Sequence, residues 1–181
     1  IIKEMLASKK PVAVYVSPQG ARAASAGVFI AMASPLVAMA PGTNIGAAHP
    51  VMLGSVPTPA DLQDKEGKKK KSSPMEDKVL NDASAYIKSI TQKTGRNVKW
   101  SVDAVKKSDS ISAEEAVKAG VADFMAKDLD ELLAKADGFR AGEFGRLAVK
   151  NPSISRFEPT RRQTFLAAVT DPNIAMILMS L

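Results

Sequence analysis

Ser25 lies inside GARAASAGVF, residues 20–29, with Ala24 before it and Ala26 and Gly27 after it. A serine hydroxyl becomes a working nucleophile only when a nearby base takes its proton. It also needs donors waiting for the oxyanion that its attack creates. Small neighbours serve one of two ends here: close packing of a helix on a sheet, or room for a substrate backbone to reach the hydroxyl. A serine at a strand-to-helix junction has a further asset, because the first N–H groups of a helix are unpaired and carry partial positive charge.

The other reactive side chains are few. The chain has no cysteine and one histidine, which excludes disulfides, thiolate chemistry and a multi-histidine metal site. His49 is the residue type that usually acts as a base near neutral pH, and it ends a predicted strand downstream of Ser25. A histidine base requires an orienting carboxylate, and no acid is singled out for that task. Lining a substrate cleft is the other reading of His49. The formal charge of +6 owes much to Lys65, Lys68, Lys69, Lys70 and Lys71, a run that reads as a solvated loop.

Elements must hold these groups in place. With 181 residues, 45% hydrophobic and 24% charged, the chain has the size and composition of one globular domain with a full core. Residues 1–8 read as the end of a helix. PVAVYV (11–16) and LVAMA (36–40) are short apolar runs bounded by Pro and Gly, the pattern of buried parallel strands. The Ala-rich stretch 23–33 between them reads as a helix, so the three make a βαβ unit and predict a layered α/β domain. IGAAHPV (45–51) is a third short strand, and the aperiodic 53–73 is a mobile loop covering the Ser25 region.

Ser73-Pro74-Met75-Glu76 forms a capping box with Pro at the first helical position. Val79, Ala83, Ile87 and Ile90 follow at helical spacing, up to a stop near Gly95. Further helices are expected at 98–108, from Ser112 to Gly120, at 128–136 and at 159–169, with strands at 121–125, 146–149 and 154–157. No targeting segment is visible, and both ends look like cuts through a longer protein. The nearly all-apolar 174–181 is shorter than the about 20 residues that span a bilayer and reads as the start of a membrane helix, with a C-terminal core helix or strand as the other reading.

ASAGVFIAMASPLVAMAPGTNIGAAHPV, residues 24–51, resembles the nucleophile region of the NfeD family of membrane-bound serine proteases. That family belongs to the ClpP/crotonase fold group, alongside signal peptide peptidase A. The likeness continues through KVLNDASAYIKSITQKTGRN (78–97), ISAEEAVKAGVADFMAKDLDELL (111–133) and TDPNIAMILMSL (170–181). It implies a ClpP/crotonase-like α/β fold of layered βαβ units, with parallel strands flanked by helices. It also implies a protease domain over 1–172 and a transmembrane helix beginning at 173–181.

The resemblance further implies a catalytic serine and lysine, which fall on Ser25 and Lys78. The N–H of Ala26 or Gly27 would then serve the oxyanion. The family's second donor comes from a Gly-Gly loop that would precede Ile1, and loss of one such donor typically costs about 3 kcal/mol, so this stretch alone is expected to be impaired. Helical spacing does not select Lys78, because both it and Lys88 lie off the apolar stripe. Lys78, however, stands near a helix N-terminus, where the dipole disfavours a cation. It also follows the long loop, and both features favour the uncharged amine that a base requires. His49, whose His-Pro context is similar to that of the ClpP histidine, is the alternative base.

The implied activity is that of a serine endopeptidase working through an acyl-enzyme on hydrophobic segments of membrane-associated proteins. Stomatin- or flotillin-like partners and a homo-oligomer are expected, with no metal, organic cofactor or nucleic acid. A reading from another class is a non-catalytic, membrane-linked scaffold that holds a partner peptide in the same cleft. An acyl-CoA-binding crotonase-type enzyme is a third, for which no nucleotide pocket is recognisable.

Overall fold

A computed structural model describes residues 1–50 and 73–169. The expected loop, apart from Ser73, and the apolar 174–181 lie outside the described residues. The chain divides into two compact units, Ile1–Val149 and Lys150–Leu181.

The first unit opens with α1 (Ile2–Ala7) and β1 (Ala13–Val16), then β2 (Arg22–Ala24), α2 (Ala26–Met32), β3 (Leu36–Met39) and β4 (Asn44–Gly46). It continues with α3 (Pro74–Thr94), α4 (Val98–Lys106), β5 (Ser110–Ser112), α5 (Ala113–Lys118), β6 (Phe124–Met125) and α6 (Leu129–Ala136). One sheet is all parallel, in the order β1-β3-β6. The other is β2-β4-β5, with β2 parallel and β5 antiparallel to β4. The expected layered α/β architecture, parallel strands flanked by helices, is what forms.

β3 is buried on both faces, which is why it reads as an unbroken apolar run rather than an alternating one. Val37 and Met39 join the main core with Val28, Met32, Ile87, Ile90 and Val105. Leu36 and Ala38 face a smaller cluster with Leu132 and Ala136 of α6. A buried arginine ties these layers together. Arg96 donates to the Ser34 carbonyl at 2.9 and 3.1 Å and meets Asp123 Oδ2 at 2.9 Å. Asp123 Oδ2 in turn accepts the Val37 N–H at 2.7 Å.

The helix starts predicted at Ser73, Ser112 and Asp128 are present. Ser73 and Glu76 form a capping box on α3, and Gly95 closes that helix in the left-handed conformation with φ 73°. Ser112 and Glu115 form a second box on α5, and Asp128 caps α6. Hydrogen bonds from Ser112, its backbone N–H first, hold the Glu115 carboxyl below the usual carboxylate range. The Lys135 ammonium and the Lys127 N–H do the same for Glu131.

The stretch 23–33 is not one helix. Residues Arg22–Ala24 pair with Asn44–Gly46 as strand, and the helix begins only at Ala26. Tertiary pairing here overrides the helix preference of alanine. β5, only three residues long, carries no strand signal of its own in the sequence. Residues 146–149 contribute one isolated bridge, Arg146 to Arg140, and 154–157 form no strand. In the second unit the described helix is α7 (Arg161–Val169). Among the described residues no helix is long and apolar enough to cross a membrane.

Candidate active site

Ser25 occupies the turn between β2 and α2 with φ 52° and ψ −119°. Non-glycine residues seldom adopt positive φ, and doing so costs about 1–3 kcal/mol. The turn is pinned from outside. Ser25 N–H donates to the Ala47 carbonyl at 3.2 Å, and Ala47 N–H donates to the Asp109 carbonyl at 2.8 Å. Ala47 itself has φ 51°. Gly46 has φ 146°, and a Cβ there would meet the Asp109 carbonyl oxygen at 2.2 Å and Ser110 Cα at 2.4 Å. A strand, a sharp serine turn and a helix in this order present the hydroxyl at the turn's tip, the arrangement of a nucleophile elbow.

Ala24, Ser25 and Ala26 are all exposed, so their size is not set by core packing. Gly27 is half-buried, yet a Cβ at that position would meet only Ala23 Cβ at an ordinary 3.6 Å. The fold would tolerate larger side chains here. In α2, Val28 N–H returns to the Ser25 carbonyl at 3.1 Å, while the N–H groups of Ala26 and Gly27 have no acceptor among the described residues. The Ser25 side chain makes no capping hydrogen bond and is left exposed. An exposed hydroxyl beside two unpaired amide donors, at a helix start, suits attack on a carbonyl and support of the resulting oxyanion.

Lys78 is exposed in the second turn of α3. α3 packs on α2 through the stacked rings of Phe29 and Tyr86, 6.0 Å apart, and through Thr94 Oγ1 donating to the Met32 carbonyl at 2.8 Å. These contacts give the two helices the same chain direction, so the early turns of α3 lie toward the end of α2 that carries Ser25. At 1.5 Å per residue, Lys78 is about 12 Å before Tyr86 and Ser25 about 6 Å before Phe29, whereas counted from Thr94 and Met32 they lie about 24 and about 10 Å back, so the axial offset is about 6–14 Å. No hydrogen bond joins the two side chains among the described residues. Lys88 lies elsewhere, in the groove between α3 and α4 with Asn81, Val102 and Lys106.

His49 is exposed, two residues beyond Ala47, with Nδ1 3.0 Å from the Val105 carbonyl. That nitrogen therefore carries its proton toward a backbone oxygen, with no carboxylate in that place. Among the described residues no group of three or more acidic or histidine side chains could hold a metal ion. Composition did not point to the struts of the turn, Ala47 and Asp109. The one available signal was Gly46, since a glycine inside a strand marks close backbone approach.

No protein-family model matches the chain. It is 37% identical over 186 residues to the membrane-bound protease PH1510 of Pyrococcus horikoshii, an alignment covering 100% of this chain and 40% of that protein. The chain thus spans less than half the length of this curated relative. Among solved structures, the 1510-N membrane protease specific for a stomatin homologue from Pyrococcus horikoshii matches with 33% identity and TM-score 0.72. That match covers 94% of this chain and 73% of the other. A serine-to-alanine mutant of the 1510-N membrane-bound stomatin-specific protease matches at 35% identity and TM-score 0.72, covering 88% and 73%. A lysine-to-alanine mutant in complex with a substrate peptide matches at 33% and 0.70, covering 93% and 74%. Such identity over nearly the whole described fold places the protein: the chain belongs to the NfeD-type family of membrane-bound proteases that includes 1510-N.

Proposed function

We propose that this chain is the peptidase domain, spanning 1–172, of a membrane-bound serine endopeptidase in which Ser25 is the nucleophile and Lys78 the base. The observation that carries the reading is the elbow at Ser25, an exposed hydroxyl on a positive-φ turn beside the unpaired N–H groups of Ala26 and Gly27. Two mutants of the 1510-N relative, one at a serine and one at a lysine, support a serine–lysine pair. Lys78 is the better base because α3 brings its early turns to the Ser25 end of α2, whereas Lys88 faces the α3–α4 groove. The carbonyl partner of His49 Nδ1 suits a cleft-lining residue better than a triad histidine.

In this mechanism the Lys78 amine takes the Ser25 proton as Oγ adds to the peptide carbonyl carbon. Ala26 and Gly27 donate to the oxyanion. Collapse expels the amine, which leaves with the proton held by Lys78, and water then frees the acyl group by the same route in reverse. The name of the relatives supports a stomatin-like membrane protein as substrate; cleavage within hydrophobic segments and a homo-oligomeric working form belong to the same proposal and rest on the family resemblance alone. With the full-length protein and a hydrophobic stomatin-derived peptide, Ser25→Ala and Lys78→Ala should each remove turnover by several orders of magnitude, with folding intact. Lys88→Ala should leave it unchanged. If Lys78→Ala retains parental turnover, the role of base passes to His49. If Ser25→Ala does, the chain is a peptide-holding scaffold.

A further inference from the structure

The second unit presents a surface that the proposed peptidase chemistry does not use. Phe157 is 98% exposed, Phe165 66% and Ile154 56%, close together in the chain, whereas the exposed large apolar side chains among the described residues of the first unit, Ile1, Met75, Tyr86 and Leu129, are far apart in it. Interleaved with them in the chain are Arg156, Arg161 and Arg162, with Lys150 at the unit's start and Glu158 as the acid among them. None of the three arginines is in an ion pair among the described residues. Within α7 polarity changes along the axis, from Arg161 and Arg162 in the first turn to Phe165 in the second, with no separate apolar face. The chain then leads within a few residues to the apolar run IAMILMSL at 174–181.

We infer that residues 154–165 form a lipid-facing collar that docks on an anionic membrane surface. Guanidinium groups of Arg156, Arg161 and Arg162 pair with headgroup phosphates, while Phe157 and Phe165 enter the boundary between headgroups and acyl chains. Aromatic rings flanked by free cations match that boundary, which is apolar on one side and negatively charged on the other. A protein partner would need acids interleaved with apolar pockets at the same spacing, whereas an anionic bilayer offers both everywhere. Axial polarity fits a helix that meets the membrane end-on or steeply, with its arginine end in the headgroups, better than one lying flat.

The test is co-sedimentation of the 181-residue chain with phosphatidylcholine vesicles that contain or lack phosphatidylglycerol. Anionic lipid should raise partitioning, and salt should reverse the gain. Replacing Arg156, Arg161 and Arg162 together by Gln should cut the anionic-lipid gain roughly a hundredfold, since each basic residue near the surface contributes about a factor of five. Phe157→Ser with Phe165→Ser should lower partitioning to both vesicle types and leave peptide turnover in detergent unchanged. Equal binding to neutral and anionic vesicles would overturn the inference. So would a phenylalanine variant that changes oligomeric state in ultracentrifugation but not vesicle binding, because the collar would then cover a second copy of the chain.

Discussion

At the scale of single residues, the conformation of Ser25 conflicts with its chemistry as an L-amino acid. A φ of 52° suits glycine, so the serine is kept at a cost in stability. Ser25→Gly is therefore expected to raise unfolding free energy by about 1 kcal/mol while abolishing turnover, a trade that urea titration and a peptide assay read separately. Ser25→Ala keeps the Cβ and should leave stability nearly unchanged. The two nearby glycines should behave oppositely. Gly46→Ala forces a Cβ against the Asp109 carbonyl and should unfold or severely destabilise the domain, whereas Gly27→Ala has room and should fold normally. Ala26→Val should also fold, since Ala26 is exposed, but should hinder the approach of a substrate backbone. If circular dichroism showed Gly46→Ala melting with the parent, close approach at that strand would not be what fixes the turn.

At the scale of elements, the parts legible in the sequence were those specified locally. Ser73 with Glu76 and Ser112 with Glu115 announce their helices within four residues, and Gly95 announces an end. What could not be read locally was β2, whose Arg-Ala-Ala is strand only because Asn44–Gly46 lies beside it. The same holds for Ser-Ile-Ser of β5, and for the serine turn, which depends on Ala47 and Asp109. The small residues around Ser25 were visible as a question, and burial answered it. The caps also make a pH prediction. Glu115 and Glu131 have carboxyls held below their ordinary range, so each adds stability above the unfolded carboxyl's titration, and that stability is lost as pH falls through the lower folded value. Glu115→Ala with Glu131→Ala should be less stable than the parent at neutral pH, and the gap should close in acid. A gap that stays constant with pH would show that their charge contributes nothing.

At the scale of the molecule, Arg96 joins parts distant in sequence: the end of α3, the turn before β3 and the approach to β6. It is only 9% exposed, and removing it strands the Ser34 carbonyl and the Asp123 carboxylate. Arg96→Met should cost about 3 kcal/mol in urea unfolding, because an unpaired partner is left behind. The paired replacement, Arg96→Met with Asp123→Asn, removes the unpaired charge while keeping an acceptor for the Val37 N–H, and should recover part of that loss. The Ser25 turn is equally non-local, and this has a consequence for biosynthesis. Its amide is held by Ala47, and Ala47 by Asp109, which the ribosome delivers much later. Until Asp109 has emerged and α4 has folded back, Ser25 belongs to a chain with nothing to bend it. The nascent protein thus carries an ordinary serine past every neighbouring peptide, and the sharpened one exists only once the chain through Asp109, most of the first unit, has been made.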